Sequence, residues 1–247
     1  MVTEPRSHFM PQNGNTSVMV RIRKHLRARS SRHSQIVLVD VEKSSVASCP
    51  ISNQVVAKFF DPLFVSDDEL PRDAPVEYKQ LVAFRCYENE AAAYSSLSSL
   101  QGTVVPIFYG NYVCHFLHRP TESDQIAKVI LMEHIDGWPL SWYSPGELTE
   151  SQAQWIMRQM EDIVRQVHSQ GVIHRDLVLR NFLLANLRRL VLVDFEDSEI
   201  LNGENQFSPE ALKEGDFIGL RCEFKDIGWL PICDSYEDGV DEDSAWR

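Results

Sequence analysis

The stretch 168–195 has the sequence HSQGVIHRDLVLRNFLLANLRRLVLVDF. It contains the triplet His174-Arg175-Asp176, followed by Asn181, and then the pair Asp194-Phe195. Apolar runs flank both motifs, so we expect the polar side chains to lie on loops held by buried strands. An aspartate that can orient a hydroxyl, with an amide oxygen and a carboxylate that can bind magnesium, is a set of groups suited to phosphoryl transfer.

Both motifs resemble segments of the protein kinase-like superfamily, the catalytic loop H-R-D-x-x-x-x-N and the metal-binding segment D-F-G. Glu196 departs from this pattern, because protein kinases carry glycine at that position. The Asp-Phe-Glu form resembles the choline and aminoglycoside kinase branches, whereas the D-x-x-x-R-N form is closer to tyrosine kinases and small-molecule kinases. The resemblance implies an α+β, two-lobed protein kinase-like fold with an antiparallel small-lobe sheet and a truncated helical C-lobe.

The same resemblance implies a role for each polar residue of the stretch. Asp176 would receive the proton of the acceptor hydroxyl, and Asn181 and Asp194 would bind Mg2+. Arg180 would contact the transferred phosphate, and the alternative for this arginine is a structural ion pair.

Residues 54–60, QVVAKFF, predict a strand that carries one lysine among apolar side chains. An unpaired buried ammonium costs several kcal/mol, so Lys58 is expected to face a carboxylate or a phosphate. The run resembles the V-A-I-K strand of kinases, which implies that Lys58 binds nucleotide phosphates. The alternative is an edge-strand lysine that reaches solvent.

An amphipathic helix is predicted between Gln80 and Gly102, because apolar residues recur there every three or four positions. Kinases hold their lysine with a carboxylate from such a helix. Glu90 is the candidate, since E-x-x-A-Y-x-x-L resembles the pattern around that glutamate in short kinase-like proteins common in fungal genomes. Glu88 is the alternative.

Three further expectations concern the smaller lobe. The strand predicted at 36–41 leads into the turn 42–48, which has no glycine where kinases use a glycine-rich loop over the phosphates. Residues 103–117 predict a hairpin with Gly110-Asn111 as its turn. The run 128–135 predicts a buried strand, and by resemblance the backbone of Glu133 to Ile135 would pair with adenine.

The chain of 247 residues is 43% hydrophobic, which is enough for a substantial core. Its net charge of −12 argues against a general nucleic-acid binder, because phosphate backbones favour basic surfaces. Five cysteines without C-x-x-C spacing favour reduced thiols. Neither a membrane span nor a secretory segment is predicted, so we expect an intracellular protein, cytoplasmic or nuclear. The predicted organisation is a basic, disordered extension at 1–34, a small lobe at 35–135 and a reduced large lobe at 136–247 with an acidic tail.

These expectations favour an ATP- and Mg2+-dependent phosphotransferase whose acceptor is a protein or small-molecule hydroxyl. The missing glycine loop leaves open a different class of function, an inactive pseudokinase that acts as a protein-interaction module. A third hypothesis is a nucleic-acid binder that uses the basic stretch between Arg21 and Arg32, for which nuclear import and simple solvation are further alternatives.

Overall fold

The computed structural model describes residues 6–11, 17–27, 34–45, 54–65, 70, 75–115, 126–186, 188–202 and 207–226. Within these ranges the strands are β1 Arg6–Pro11, β2 Val18–Arg27, β3 Gln35–Ser44, β4 Gln54–Phe60, β5 Phe108–His115, β6 Ile126–Glu133, β7 Gly137–Pro139, β8 Val172–Ile173, β9 Phe182–Ala185, β10 Arg189–Leu192 and β11 Glu199–Ile200. The helices are α1 Val76–Ser96, α2 Glu150–Ser169 and α3 Pro209–Asp226.

The smaller lobe is an antiparallel sheet that closes on itself. Its strand order is β1-β2-β3-β4-β6-β5, and β1 pairs with β5 to complete a barrel. Lys58 of β4 lies opposite Ile36 of β3 on one side and Ile130 of β6 on the other. The lysine is therefore on a central strand, which rules out the edge-strand alternative.

The two faces of the sheet bury separate cores, because successive side chains of a strand point in opposite directions. Val55, Ala57 and Phe59 of β4 belong to the cluster inside the barrel. Val56 and Phe60 belong to a second cluster, which is shared with all three helices. Lys58 alternates with the residues of the first cluster, and its amine reaches Glu90 of α1 outside the barrel.

The N-terminal residues differ from the expected disordered extension. Residues 6–11 and 18–27 form strands. Val18 and Val20 of β2 lie two positions apart and bury their side chains inside the barrel. On β2, Arg21 pairs with Glu42 and Arg23 with Asp40, so that part of the basic stretch is neutralised by β3. Arg29 and Arg32 lie outside the described residues, as does the acidic tail.

The turn at 42–48, predicted by resemblance to cover nucleotide phosphates, lies at the end of the sheet opposite Lys58. Gln54 is paired with Asp40 near the end of β3 that leads to this turn, whereas Lys58 is paired with Ile36 at the other end. Because Ile36 also pairs with Arg27, the connection from β2 to β3 is the one next to the lysine. Residues 28–33 of that connection, and 46–48 of the predicted turn, lie outside the described residues.

The predicted hairpin at 103–117 is also wrong. Gly110 and Asn111 lie inside the continuous strand β5, which pairs with β6. The register shifts between Phe108 and Gly110, and Gly110 has a φ of +123°, so the glycine makes a β-bulge instead of a turn. A side chain at Gly110 would also approach the hydroxyl of Tyr112 within 3.1 Å.

In the larger lobe β7, β9 and β10 form one sheet, and β9 and β10 share a core with α2 and α3. Helix α2 begins with a capping box in which Thr149 and Gln152 exchange hydrogen bonds, as its sequence predicts, and Gly171 with a φ of +74° follows its end. None of the helices in the described ranges is both long and apolar enough to cross a bilayer.

Candidate active site

Three carboxylates surround the amine of Lys58. Lys58 Nζ donates to Glu90 Oε2 at 2.6 Å and to Asp194 Oδ1, and it lies 3.0 Å from Glu196 Oε2. The side chains of Lys58, Glu90, Asp194 and Glu196 are 2%, 0%, 5% and 1% exposed. A protonated lysine has three N–H donors, of which two are hydrogen-bonded to Glu90 and Asp194, and Glu196 adds an ion pair.

This cluster combines strands and a helix that are distant in sequence. Lys58 extends from β4, Glu90 from the buried face of α1, and Asp194 and Glu196 from the loop that follows β10. Glu88, the alternative partner for the lysine, instead contacts Lys128 at 2.9 Å, and its own side chain is 68% exposed. Glu88 lies two positions before Glu90 on the helix, and residues at that spacing do not share a helix face.

The charges within the cluster control its protonation. Burial alone would lower the pKa of Lys58, but the negative charges of Asp194, Glu196 and Glu90 raise it well above its ordinary value. Burial raises the pKa of the Glu90 carboxyl to about 7, although the nearby ammonium opposes this shift. The lysine therefore stays charged, and burial favours the protonated form of the Glu90 carboxyl.

Glu196 is the member of the cluster that sequence reasoning did not assign to the site. Its Oε2 also accepts a hydrogen bond from Ser34 Oγ at 2.8 Å, next to the start of β3. Its backbone oxygen accepts one from Asn89 of α1 at 3.1 Å. The signal in the sequence was an acidic residue directly after the buried Phe195, where the motif carries glycine.

Asp176 is held by two neighbours on its own loop. Arg180 Nη2 donates to both carboxylate oxygens, at 3.2 and 3.0 Å, and Asn181 Nδ2 donates to Oδ2 at 2.8 Å. Asn181 Nδ2 also donates to the backbone oxygen of Asp176 at 2.9 Å, which closes the loop. Arg180 thus makes the ion pair that was the alternative to phosphate contact.

The amide and carboxylate oxygens of the site suit a hard cation such as Mg2+, which prefers oxygen ligands. Both hydrogen bonds of the Asn181 side chain use its amide nitrogen, and neither uses its carbonyl oxygen. Glu90, Asp194 and Glu196 each offer an oxygen within 4.8 Å of the others. Within the described ranges, Glu90 Oε1 and Glu196 Oε1 are the buried side-chain oxygens that lack a hydrogen-bond partner.

His174 links the catalytic loop to the segment of Asp194. Its Nε2 lies 3.1 Å from the backbone oxygen of Val193, and its Nδ1 accepts from the backbone N–H of Asp176 at 3.3 Å. A carbonyl accepts and an amide donates, so the ring is neutral with its proton on Nε2. Burial lowers the pKa of His174, although Asp216 opposes this shift, and the neutral form is thereby stabilised.

Phe195 is completely buried between the lobes. Its ring lies 4.8 Å from that of His174 and 5.5 Å from that of Tyr94 on α1, measured between centroids. Asp194 itself has a φ of +73°, a conformation in which a residue other than glycine is strained. The packing of Phe195 holds that backbone in place and so fixes the direction of the Asp194 carboxylate.

Asp216 of α3 anchors the catalytic loop from below, and sequence reasoning missed it. Its carboxylate accepts from the backbone N–H groups of His174 and Arg175, both at 2.9 Å, and contacts His168 Nε2 at 2.9 Å. Arg175 has a φ of +69°, so the anchor stabilises a strained backbone. The available signal was a single acid within a stripe of otherwise apolar residues that recur every fourth position, namely Leu212, Asp216, Leu220 and Phe224.

The residues proposed for adenine contact lie on the connection between the lobes. The Glu133 side chain binds Arg189 through contacts of 2.8 and 3.2 Å, and its backbone N–H donates to Ile107. Burial opposes the shift, but the hydrogen bond from Arg189 lowers the pKa of the Glu133 carboxyl overall. Ile135 is buried, and its carbonyl accepts from Gly137 at 3.0 Å.

Comparison with known proteins agrees with this architecture. The family model described as protein kinase domain matches residues 108–214. The chain is 29% identical to the serine/threonine-protein kinase cds1 of Schizosaccharomyces pombe over 109 residues, which cover 39% of this chain and 24% of that protein. It is 33% identical to calcium-dependent protein kinase 20 of Oryza sativa subsp. japonica over 110 residues, or 38% and 20% of the two chains.

The maternal embryonic leucine zipper kinase of Xenopus tropicalis is 35% identical over 86 residues, which cover 34% of this chain and 13% of that protein. The chain thus spans less than a quarter of the length of these curated relatives. The matched region contains the catalytic loop, Asp194 and Glu196. Over these residues the chain is similar to the protein kinase domain and to protein kinases of fungi, plants and animals.

Proposed function

We propose that the protein is an Mg-ATP-dependent phosphotransferase. The observation that carries the proposal is the convergence of Lys58, Glu90 and Asp194 in one cluster, although they lie on three separate elements. A lysine held in this way is placed to meet nucleotide phosphates when a carboxylate moves aside. Adenine would pair with backbone groups between Glu133 and Ile135.

Asp176 is proposed as the residue that orients the acceptor hydroxyl and takes its proton. Its carboxylate is fixed by Arg180 and Asn181, so little reorganisation is needed when the acceptor arrives. Arg180 is 38% exposed, which leaves part of its guanidinium free to meet a transferred phosphate. Asn181 and Asp194 would hold magnesium, which when bound neutralises charge on the phosphates.

The acceptor in this proposal is a hydroxyl group of a protein or of a small molecule. The matched relatives are named as protein kinases, one of them as a serine/threonine-protein kinase, and this favours a protein hydroxyl. The Asp-Phe-Glu sequence at 194–196 resembles the choline and aminoglycoside kinase branches, so a small-molecule hydroxyl is the alternative acceptor.

A pseudokinase that serves as an interaction module is the second candidate function. Its supporting observation is that Glu196 forms a buried ion pair with Lys58, so a phosphate has to displace a buried carboxylate to reach the amine. In this case nucleotide binding is weak, and phosphate transfer does not occur.

The experiment for the first function measures both transfer and hydrolysis of γ-labelled ATP with magnesium. Peptides with serine, threonine and tyrosine serve as protein acceptors, choline and an aminoglycoside as small ones, and released phosphate reports turnover without an acceptor. Asp176→Asn is expected to lower the rate about 100- to 10,000-fold. Asp162→Asn is the matched control, because that aspartate is 59% exposed on α2. Equal rates for the Asp176→Asn variant and the parent would refute the assignment, and nucleotide binding without turnover would favour the pseudokinase.

A further inference from the structure

The charges around Lys58 do not balance. Glu90, Asp194 and Glu196 carry three negative charges when ionised, and Lys58 supplies one positive charge. Two negative charges then remain in a cluster whose side chains are at most 5% exposed. Buried charge without compensation is costly, so the cluster favours a bound cation or a proton.

The hydrogen bonds in the cluster show where such a charge could bind. Glu90 and Glu196 each direct one oxygen, Oε2, at the lysine amine. Their other oxygens, Oε1, are buried and have no hydrogen-bond partner. Native proteins rarely leave buried carboxylate oxygens unsatisfied, which points to a missing ligand at these atoms.

The chemistry of the donors selects the ligand. All three residues offer carboxylate oxygens, and one oxygen from each lies within 4.8 Å of the others. Oxygens bound to one Mg2+ or Mn2+ ion at about 2.1 Å are about 3–4 Å apart, so small side-chain movements complete the set. The charge of a divalent ion equals the excess of two negative charges.

We propose that Glu196, together with Asp194 and Glu90, forms a site for Mg2+ or Mn2+ that binds the ion in the absence of nucleotide. This site differs from the pair Asn181 and Asp194, because it uses α1 and the residue after Phe195. Glu196 is then a metal ligand that replaces the glycine of the kinase motif. The proposal concerns the nucleotide-free protein and does not depend on phosphoryl transfer.

The experiment uses the full chain, freed of metal with EDTA and without nucleotide. Titration with Mn2+ is followed by the electron paramagnetic resonance signal of the free ion, and melting temperature is measured with and without Mn2+. We expect one bound ion per chain and a rise in melting temperature. Glu196→Gln should weaken binding at least ten-fold and abolish the rise.

Three further variants test whether Mn2+ binds at this cluster of carboxylates. Glu90→Gln should also weaken binding, and it provides a second test if Glu196→Gln folds poorly. Glu88→Gln, on the same helix but facing Lys128, should bind Mn2+ like the parent. Asn181→Ala should also bind like the parent, because it removes a ligand of the other pair only.

Two results would overturn the proposal. One is that millimolar Mn2+ gives neither binding nor a melting shift, in which case a proton balances the cluster. The other is that Asn181→Ala abolishes binding while both glutamine variants at 90 and 196 retain it. Since no nucleotide is present, either result leaves the phosphotransferase proposal to be tested separately.

Discussion

Lys58 Nζ lies 3.0 Å from the Oε2 atom of Glu196, and Glu196 occupies the position at which the kinase motif carries glycine. The two residues lie in different lobes, and Ser34 Oγ donates to the same Glu196 oxygen. This contact joins the start of β3, the middle of β4 and the loop after β10 at one point. Glu196 therefore contributes both to the charge of the site and to the contacts between the two lobes.

Replacing Lys58 tests how much the three carboxylates depend on it. Lys58→Met leaves them buried without their ammonium, so we expect a loss of about 3–5 kcal/mol in the free energy of unfolding at pH 7.5. Urea denaturation measures this loss. Lys24→Met is the control, because Lys24 is an exposed lysine of β2, and its expected change is within about 0.5 kcal/mol. Similar changes for the two variants would contradict the electrostatic account of the cluster.

The raised pKa of Glu90 predicts a pH dependence of stability. The folded pKa of about 7 lies above the ordinary value of 4.5, so the folded protein binds this proton more tightly than the unfolded chain. The resulting stabilisation is fully present below pH 4.5 and is lost as pH rises through 7. Its size corresponds to about 3 kcal/mol.

The measurement compares the unfolding free energies of the parent and Glu90→Gln between pH 4.5 and 8.5. The glutamine variant cannot take up the proton, so the difference between the two proteins should change by about that amount across the range. A difference that stays constant with pH would show that Glu90 has an ordinary pKa.

Asp216 is expected to matter through the catalytic loop it supports. Asp216→Ala leaves the backbone N–H groups of His174 and Arg175 without their acceptor, which should cost about 2–4 kcal/mol. Hydrogen exchange at these two amides should accelerate by more than it does at the amides of β4. Asp162→Ala, on the exposed face of α2, is the control and should change neither the unfolding free energy nor the exchange rates. Unchanged exchange rates at the amides of His174 and Arg175 in the Asp216→Ala variant would refute the anchoring role.

The adjacent residues Phe59 and Phe60 lie in different cores, so their substitution tests each core separately. Phe59 is buried inside the barrel, whereas Phe60 packs at 5.7 Å against Tyr87 of α1. Each change to alanine should destabilise the protein by about 3–5 kcal/mol. Only Phe60→Ala should also weaken Mg-ATP or Mn2+ binding at temperatures where both variants are folded, because Phe60 lies on the face that carries Lys58. Equal effects on binding would show that the two faces are not independent.

Local patterns in the sequence predicted the parts of the molecule whose contacts are short in sequence. The capping box at Thr149 and the strand around Lys58 follow from neighbouring residues, and both are present. The hairpin at Gly110 failed because a glycine followed by asparagine suits a bulge as well as a turn, and only the register with β6 decides between them.

Long-range pairing could not be predicted in the same way. The strand β1 closes the barrel through hydrogen bonds with β5 about a hundred residues away, and backbone pairing leaves little trace in sequence. Asp216 contacts a loop 41 and 42 residues before it. Its place on an apolar stripe indicated burial but not the partner.

The decisive measurement is Mg-ATP binding by the parent and by Asp194→Ala, followed by calorimetry and by melting temperature. We expect the parent to bind, with stabilisation of about 2.7 kcal/mol once nucleotide reaches 100 times its dissociation constant. That stabilisation should disappear in Asp194→Ala, while Glu88→Gln keeps it. A parent protein that neither binds nor is stabilised by millimolar Mg-ATP would contradict the claim that Lys58, Glu90 and Asp194 form a nucleotide site.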